Sequence, residues 1–267
     1  MYKLNEIQDF KYITFPSFEN YDNLLHCFTT RKGGVSKGNY ESMNIGFSTG
    51  DTDENVKRNI EIMAEKLNIN VYDIVETNQT HTNVVKYVTE EYKGKAFSES
   101  PFKGVDGIYT DKKNLVLMSF HADCTSVFFY DPVKKVIGLA HAGWRGTLLN
   151  IVGNMVKAFV NDFNSDPKDI ITAIGPSLGP CCFEVDKDVA DLFLSESDEF
   201  RNFMEVKGLK YHFNLWEINK YLLKKEGIKE ENIEMSNLCT KCNNDLFFSH
   251  RGQGVKRGLL AGLLMMK

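Results

Sequence analysis

Apolar residues recur at helical spacing in TGDTDENVKRNIEIMAEKLN, where Val56, Ile60, Met63, Ala64 and Leu67 form one stripe behind an acidic first turn. That spacing predicts an amphipathic helix. GTLLNIVGNMVKAFVNDF repeats the signature through Leu148, Val152, Met155, Val156, Phe159 and Phe163, and FNLWEINKYLLKKEG does so from residue 213. From Tyr72 to Tyr130 the pattern changes to short runs between polar breaks: DIVETNQTHTNVVKYV, VDGIYT, LVLMSF and TSVFFY. These predict strands. Helices covering a mixed sheet make an α and β fold, and no repeat, low-complexity stretch or Pro/Gly/Ser-rich linker divides residues 1–267, so one domain is expected.

Asp131-Pro132-Val133-Lys134 reads as a turn between TSVFFY and KVIGLAHA, predicting a hairpin. With Pro132 and Val133 as its central residues, Cys124 falls opposite His141, which brings a thiol and an imidazole to one metal ion. Alternation along NQTHTNVVKYV puts Gln79, His81 and Asn83 on one unusually polar face and offers His81 as a third ligand. His121 is the rival, but three residues along a strand it points away from Cys124 unless a bend intervenes. A lone buried Cys or His is more often a core residue than a ligand, so the case rests on their convergence. Two histidines and one cysteine leave tetrahedral Zn²⁺ an open position, as a catalytic site requires.

After His141 the chain reads AGWRG and enters a long predicted helix, where Arg145 and the turn amides suit phosphate or a carboxylate. FTTRKGG offers Arg31 in a similar loop. Cys181-Cys182 and the CxxC of Cys239 and Cys242 suggest a four-thiolate site only weakly, because adjacent cysteines are awkward tetrahedral ligands and no second CxxC exists.

The net charge of −4 and the lack of a dense Lys/Arg run argue against a broad grip on nucleic acid. LLAGLLMM is too short to span a bilayer and no signal-peptide pattern is seen, so no membrane association and a cytoplasmic location are expected. Six cysteines then read as thiols or metal ligands.

Taken together and in order, FTTRKGGVS, YESMNIGF, GDTDENVKRN, NQTH, VDGIYT, HADCTSVFFYDP, GLAHAGWRG, AIGPSLGPCCFEV, CTKC and FFSHR resemble the YfiH/YlmD-type family. That family was long labelled multicopper polyphenol oxidase or laccase domain and is now described as purine nucleoside phosphorylases. The resemblance covers nearly the whole chain and implies an α-β-β-α sandwich with mixed sheets. It implies metal ligation by His81, Cys124 and His141, with Zn²⁺ as the ion and Cu²⁺ able to occupy the same site. It implies phosphorolysis of adenosine, inosine and 5′-methylthioadenosine, with adenosine deamination besides, so purine nucleosides and phosphate are the expected partners. Asp123 joins His81, Cys124 and His141 as a catalytic candidate, and Arg31, Asn44, Gln79 and Arg145 are substrate-binding candidates. Two departures stand out: His121 where many relatives carry Thr, and Asn214 in place of Asp before the LW dipeptide. Competing readings are copper oxidation of phenols, a cysteine hydrolase using Cys124 and His141, and a metal-stabilised binding module.

Overall fold

Two six-stranded mixed sheets face one another across an apolar layer in the computed structural model, which describes residues 1–94 and 102–267. The first sheet runs Lys3–Ile7, Phe10–Thr14, Leu24–Thr29, Leu260–Met266, Val116–His121 and Ile74–Glu76. The second runs Ile233–Met235, Ile171–Ile174, Thr125–Asp131, Val136–Ala142, Gly107–Thr110 and Val85–Tyr87. Central strands alternate between two apolar layers, because both their faces are covered. In Thr125–Asp131, Phe128 and Tyr130 pack between the sheets while Val127 and Phe129 pack under the helices. Outer helices complete the α-β-β-α sandwich: Ile151–Phe163 and Leu215–Lys225 cover the second sheet, and Asp53–Leu67 covers the first.

The predicted stripes meet these layers. Val56, Ile60, Met63 and Ala64 are buried, each worth about 1–3 kcal/mol for the larger side chains, and Thr52 caps the helix by accepting from Asn55 N. Asn214 caps Leu215–Lys225 by accepting from Glu217 N, a role that Asp fills equally well, which accounts for the exchange noted in the sequence. Within LLAGLLMM, Leu260–Met266 is a strand buried on both faces, and among the described residues no helix is long and apolar enough to cross a membrane.

Three expectations need correction. The stretch from Gly146 is not one helix: Trp144–Leu148 and Ile151–Phe163 are separated at Asn150, whose φ of 56° breaks the first helix while its side chain caps the second. NQTHTNVVKYV is not one strand, since apart from an isolated bridge of Asn78 with Val105 its pairing is confined to Val85–Tyr87, and His81 sits in a loop with φ 65°. The hairpin turn uses four residues rather than two, so His141 pairs with Ser126 and Cys124 lies just beyond the strand. The slip is two residues, and because side chains alternate with period two, Cys124 and His141 keep a common face.

Candidate metal centre and its cavity

Asp106 organises the site from below. Its carboxylate is buried and accepts from the backbone N–H groups of Thr80, His81 and Thr82 at 3.1, 3.0 and 2.8 Å, and from Thr82 Oγ1 at 2.8 Å. These bonds hold the His81 loop in its left-handed conformation, which costs a non-glycine residue about 1–2 kcal/mol. The same carboxylate lies 2.8 Å from His141 Nδ1. One buried anion therefore fixes the His141 imidazole and the backbone that carries His81, and it leaves Nε2 of His141 as the ligating atom.

Cys124 follows a sharp bend at Asp123, whose φ is 90°. Its thiol is 3.8 Å from His81 Nε2, and the ligand atoms of His81, Cys124 and His141 all lie within 4.8 Å of one another. A tetrahedral ion bound at ordinary Zn–N and Zn–S lengths needs an N···S edge of about 3.6 Å, so the three residues fit a metal with small adjustments. Space is kept by Gly143: a Cβ there would meet His81 Cδ2 at 2.9 Å and Cys124 Sγ at 3.2 Å. Extending the hairpin register would set Gly143 opposite Cys124, and the missing side chain lets the thiol reach His141.

Charge completes the preparation. Burial opposes ionisation of Cys124, but the neighbouring His141, and to a smaller degree His81, outweigh it and draw the thiol down to about 6. Burial likewise opposes charging of His141, while the Cys124 thiolate and Asp106 raise it to about 9. Asp106, disfavoured by burial but bonded to His141 and the Thr82 amide, falls to about 2. A metal bound here would replace the His141 proton, and the lowered Cys124 thiol would meet it as a thiolate.

A bend does intervene at Asp123, yet His121 is no ligand in this geometry. It is buried, with Nε2 2.7 Å from Ser119 Oγ and Nδ1 3.1 Å from Cys124 O, so both ring nitrogens are occupied.

The three ligands open onto a cavity of about 790 Å³ also lined by Lys57, Glu76, Gln79 and Arg257. A smaller cavity of about 350 Å³ shares His81, Cys124 and Arg257 and reaches Asp123 and Trp144. Gln79 is in the wall with its amide committed to both backbone groups of Phe120. Asp123 is held by Thr240 Oγ1 and Arg251 N, each at 2.6 Å. The remaining candidates lie elsewhere. Arg145 is exposed and stacks on Trp144, its guanidinium carbon 4.1 Å from the ring centroid. Arg31 donates to Glu41 O and Asn244 O and lines a separate small pocket. Asn44 is buried and ties its own loop together through Gly46, Asp51 and Leu259.

Three residues escaped the sequence reading. Asp106 stands in VDGIYT, where nothing local separates it from a turn aspartate. Arg257 follows Lys256 in a polar loop with nothing local to set it apart, yet among the described residues its buried Nε has no hydrogen-bond partner. Glu76 ends a short strand, its buried Oε2 is likewise unpartnered among the described residues, and burial pushes its carboxyl up to about 8.

The chain is similar to solved and curated proteins along nearly its whole length. The crystal structure titled Bacillus licheniformis hypothetical protein YfiH superposes with a TM-score of 0.91 at 36% identity, covering 99% of each chain. Purine nucleoside phosphorylase YlmD of Bacillus subtilis is 39% identical over 93% of this chain and 91% of its own length. A purine nucleoside phosphorylase of Bacteroides thetaiotaomicron is 31% identical over 97% of this chain and 98% of its own. The family model described as multi-copper polyphenol oxidoreductase laccase matches residues 25–267, and with relatives of this extent the chain belongs to that family.

Proposed function

We propose that the protein is a metal-dependent purine nucleoside phosphorylase acting on adenosine, inosine and 5′-methylthioadenosine, with adenosine deamination as a second activity. The observation that carries the reading is the cavity itself: a His–Cys–His centre with an open coordination position beside the half-buried Arg257, whose buried Nε has no hydrogen-bond partner among the described residues. The relatives named as purine nucleoside phosphorylases support the substrate class. His81, Cys124 and His141 would hold Zn²⁺, and Cu²⁺ would suit the same donors. When bound, the ion would supply Lewis-acid charge for polarising oxygen.

The other roles belong to the chain. Asp106 fixes the histidine tautomer and orientation, as carboxylates behind metal-bound imidazoles do. Arg257, with Lys57 in the same cavity, binds phosphate through charge-assisted hydrogen bonds. Glu76 stays protonated at neutral pH and donates to the departing purine nitrogen as the C1′–N bond breaks and a C1′–O bond to phosphate forms. The proton of hydrogen phosphate restores Glu76, so nucleoside and phosphate become free base and ribose 1-phosphate. Adenosine deamination, in which adenosine and water become inosine and ammonia, draws on the same proton donor. Gln79 shapes the wall, and Asp123 positions the bend that carries Cys124.

The test is chromatography of adenosine incubated with metal-analysed protein, with and without phosphate, beside Arg257→Ala. Adenine and ribose 1-phosphate formed only with phosphate, with KM for phosphate raised in the variant, are expected. Inosine alone would leave a deaminase, and phenol oxidation without nucleoside turnover would return the copper oxidase reading.

A further inference from the structure

Behind the Asp123 bend lies a second cluster with a different chemistry. The sulfurs of Cys181, Cys182, Cys239 and Cys242 all lie within 4.8 Å of one another, with Cys242 Sγ 3.5 Å from both Cys181 Sγ and Cys182 Sγ. These separations are far beyond a disulfide length of about 2.05 Å. They match a tetrahedron of sulfurs around one ion, whose edges are about 3.8 Å at a metal–sulfur distance of about 2.3 Å.

The adjacency of Cys181 and Cys182 is no obstacle here. Both lie in a tight turn in which Cys182 N and Phe183 N donate to Gly179 O at 2.9 and 2.8 Å. In such a turn, neighbouring side chains do not point to opposite faces as they do in a strand. Gly179 also lets the turn close on the other loop, since a Cβ there would meet Trp216 at 2.7 Å and Cys239 Cβ at 3.1 Å. The second pair is presented by residues 239–242, anchored by Thr240 N to Ser177 O and by Asn243 N to Cys239 O, both 3.0 Å. Arg251, donating to Cys182 O and Glu184 O, brings positive charge beside a centre whose four thiolates exceed the charge of one divalent ion.

We propose that these four cysteines bind a second, structural metal ion, zinc or a single iron, that clips residues 179–183 to residues 239–242. All four positions are filled by protein, the mark of a structural site. The clip steadies Thr240, which holds Asp123 and through it the bend before Cys124. It is independent of the nucleoside reading, because no residue of the cavity's metal centre takes part.

The test removes the first centre and counts what remains. The full-length chain with His81→Ala, Cys124→Ala and His141→Ala is purified under reducing conditions, and its zinc and iron are measured. About one ion per chain, with a sulfur-only shell by X-ray absorption, is expected, falling to near zero when Cys239→Ser and Cys242→Ser are added. The unmodified chain, measured beside it, is expected to hold about two ions, one with mixed nitrogen and sulfur ligands, so misfolding of a variant does not decide the matter. A folded triple variant without metal, its four thiols open to a thiol reagent, would overturn the proposal. A mass showing a Cys181–Cys242 or Cys182–Cys242 disulfide would do the same.

Discussion

The two cysteine-containing clusters of this molecule are built by opposite means. Cys124 and His141 stand at the ends of core strands and His81 on a loop beside them, all over a buried carboxylate, and they face a cavity. Cys181, Cys182, Cys239 and Cys242 sit on two surface loops, with Cys181 and Cys242 exposed. The first set has three donors and room for a fourth partner, whereas the second has four donors, all supplied by the protein. Donor number and access thus divide the work: one centre is shaped to meet substrate, the other to fasten loops.

Cys124→Ala separates the two most sharply. Metal at the first centre and nucleoside turnover are expected to fall to background while any metal held by the four cysteines stays, as metal analysis beside the product assay will read. Activity retained in a protein lacking the first ion would remove the catalytic role from this centre. Glu76→Gln comes next, with kcat lowered about 10²–10⁴-fold if Glu76 is the proton donor. In the unmodified protein, activity is expected to decline as pH rises through about 8, where Glu76 loses its proton, and this limb should vanish in the variant. The sign for stability follows from the raised carboxyl: the unfolded chain gives up this proton near 4.5 and the folded one near 8, so Glu76 erodes stability across that interval. Denaturant titration at pH 5 and pH 8 should find Glu76→Gln relatively more stable at the higher value; an unchanged difference would place no proton on Glu76.

Asp106→Asn should weaken metal binding at the first centre about 10–100-fold without touching the cysteine cluster, read by competition with a chelator. An unaltered affinity would mean that the backbone amides alone orient the His81 loop. Smallest of all is Arg145→Ala: its guanidinium lies on Trp144 outside the cavity, so KM for phosphate should stay within about twofold while stability drops by at most about 1 kcal/mol from the lost stacking. A large rise in KM for phosphate would restore Arg145 as the anion site in place of Arg257.

Much of the architecture was legible because covered faces leave a periodic record. The stripe of Val56, Ile60 and Met63 marked a helix correctly, and the continuous apolar run of TSVFFY marked a strand covered on both sides. Convergence of Cys124 and His141 was readable despite a wrong turn length, since the two-residue error preserved the face. His81 was chosen by a strand alternation that does not exist; it reaches the site on a loop held by Asp106, and the motif resemblance identified it where periodicity did not. Asp106, Glu76 and Arg257 left no local signal, because a single polar residue is informative only once its burial and partners are known.

The sequence by itself determined the layers, the hairpin and the types of donor available, since these depend on hydrophobic period, turn chemistry and residue identity. Only the tertiary structure decided which donors meet. The His81 loop, the Asp123 bend and the end of Val136–Ala142 close around one carboxylate and one glycine in the first centre, and two loops close on one another at a glycine turn in the second. Those distances are set by how the sheets and loops pack, which no local spacing encodes.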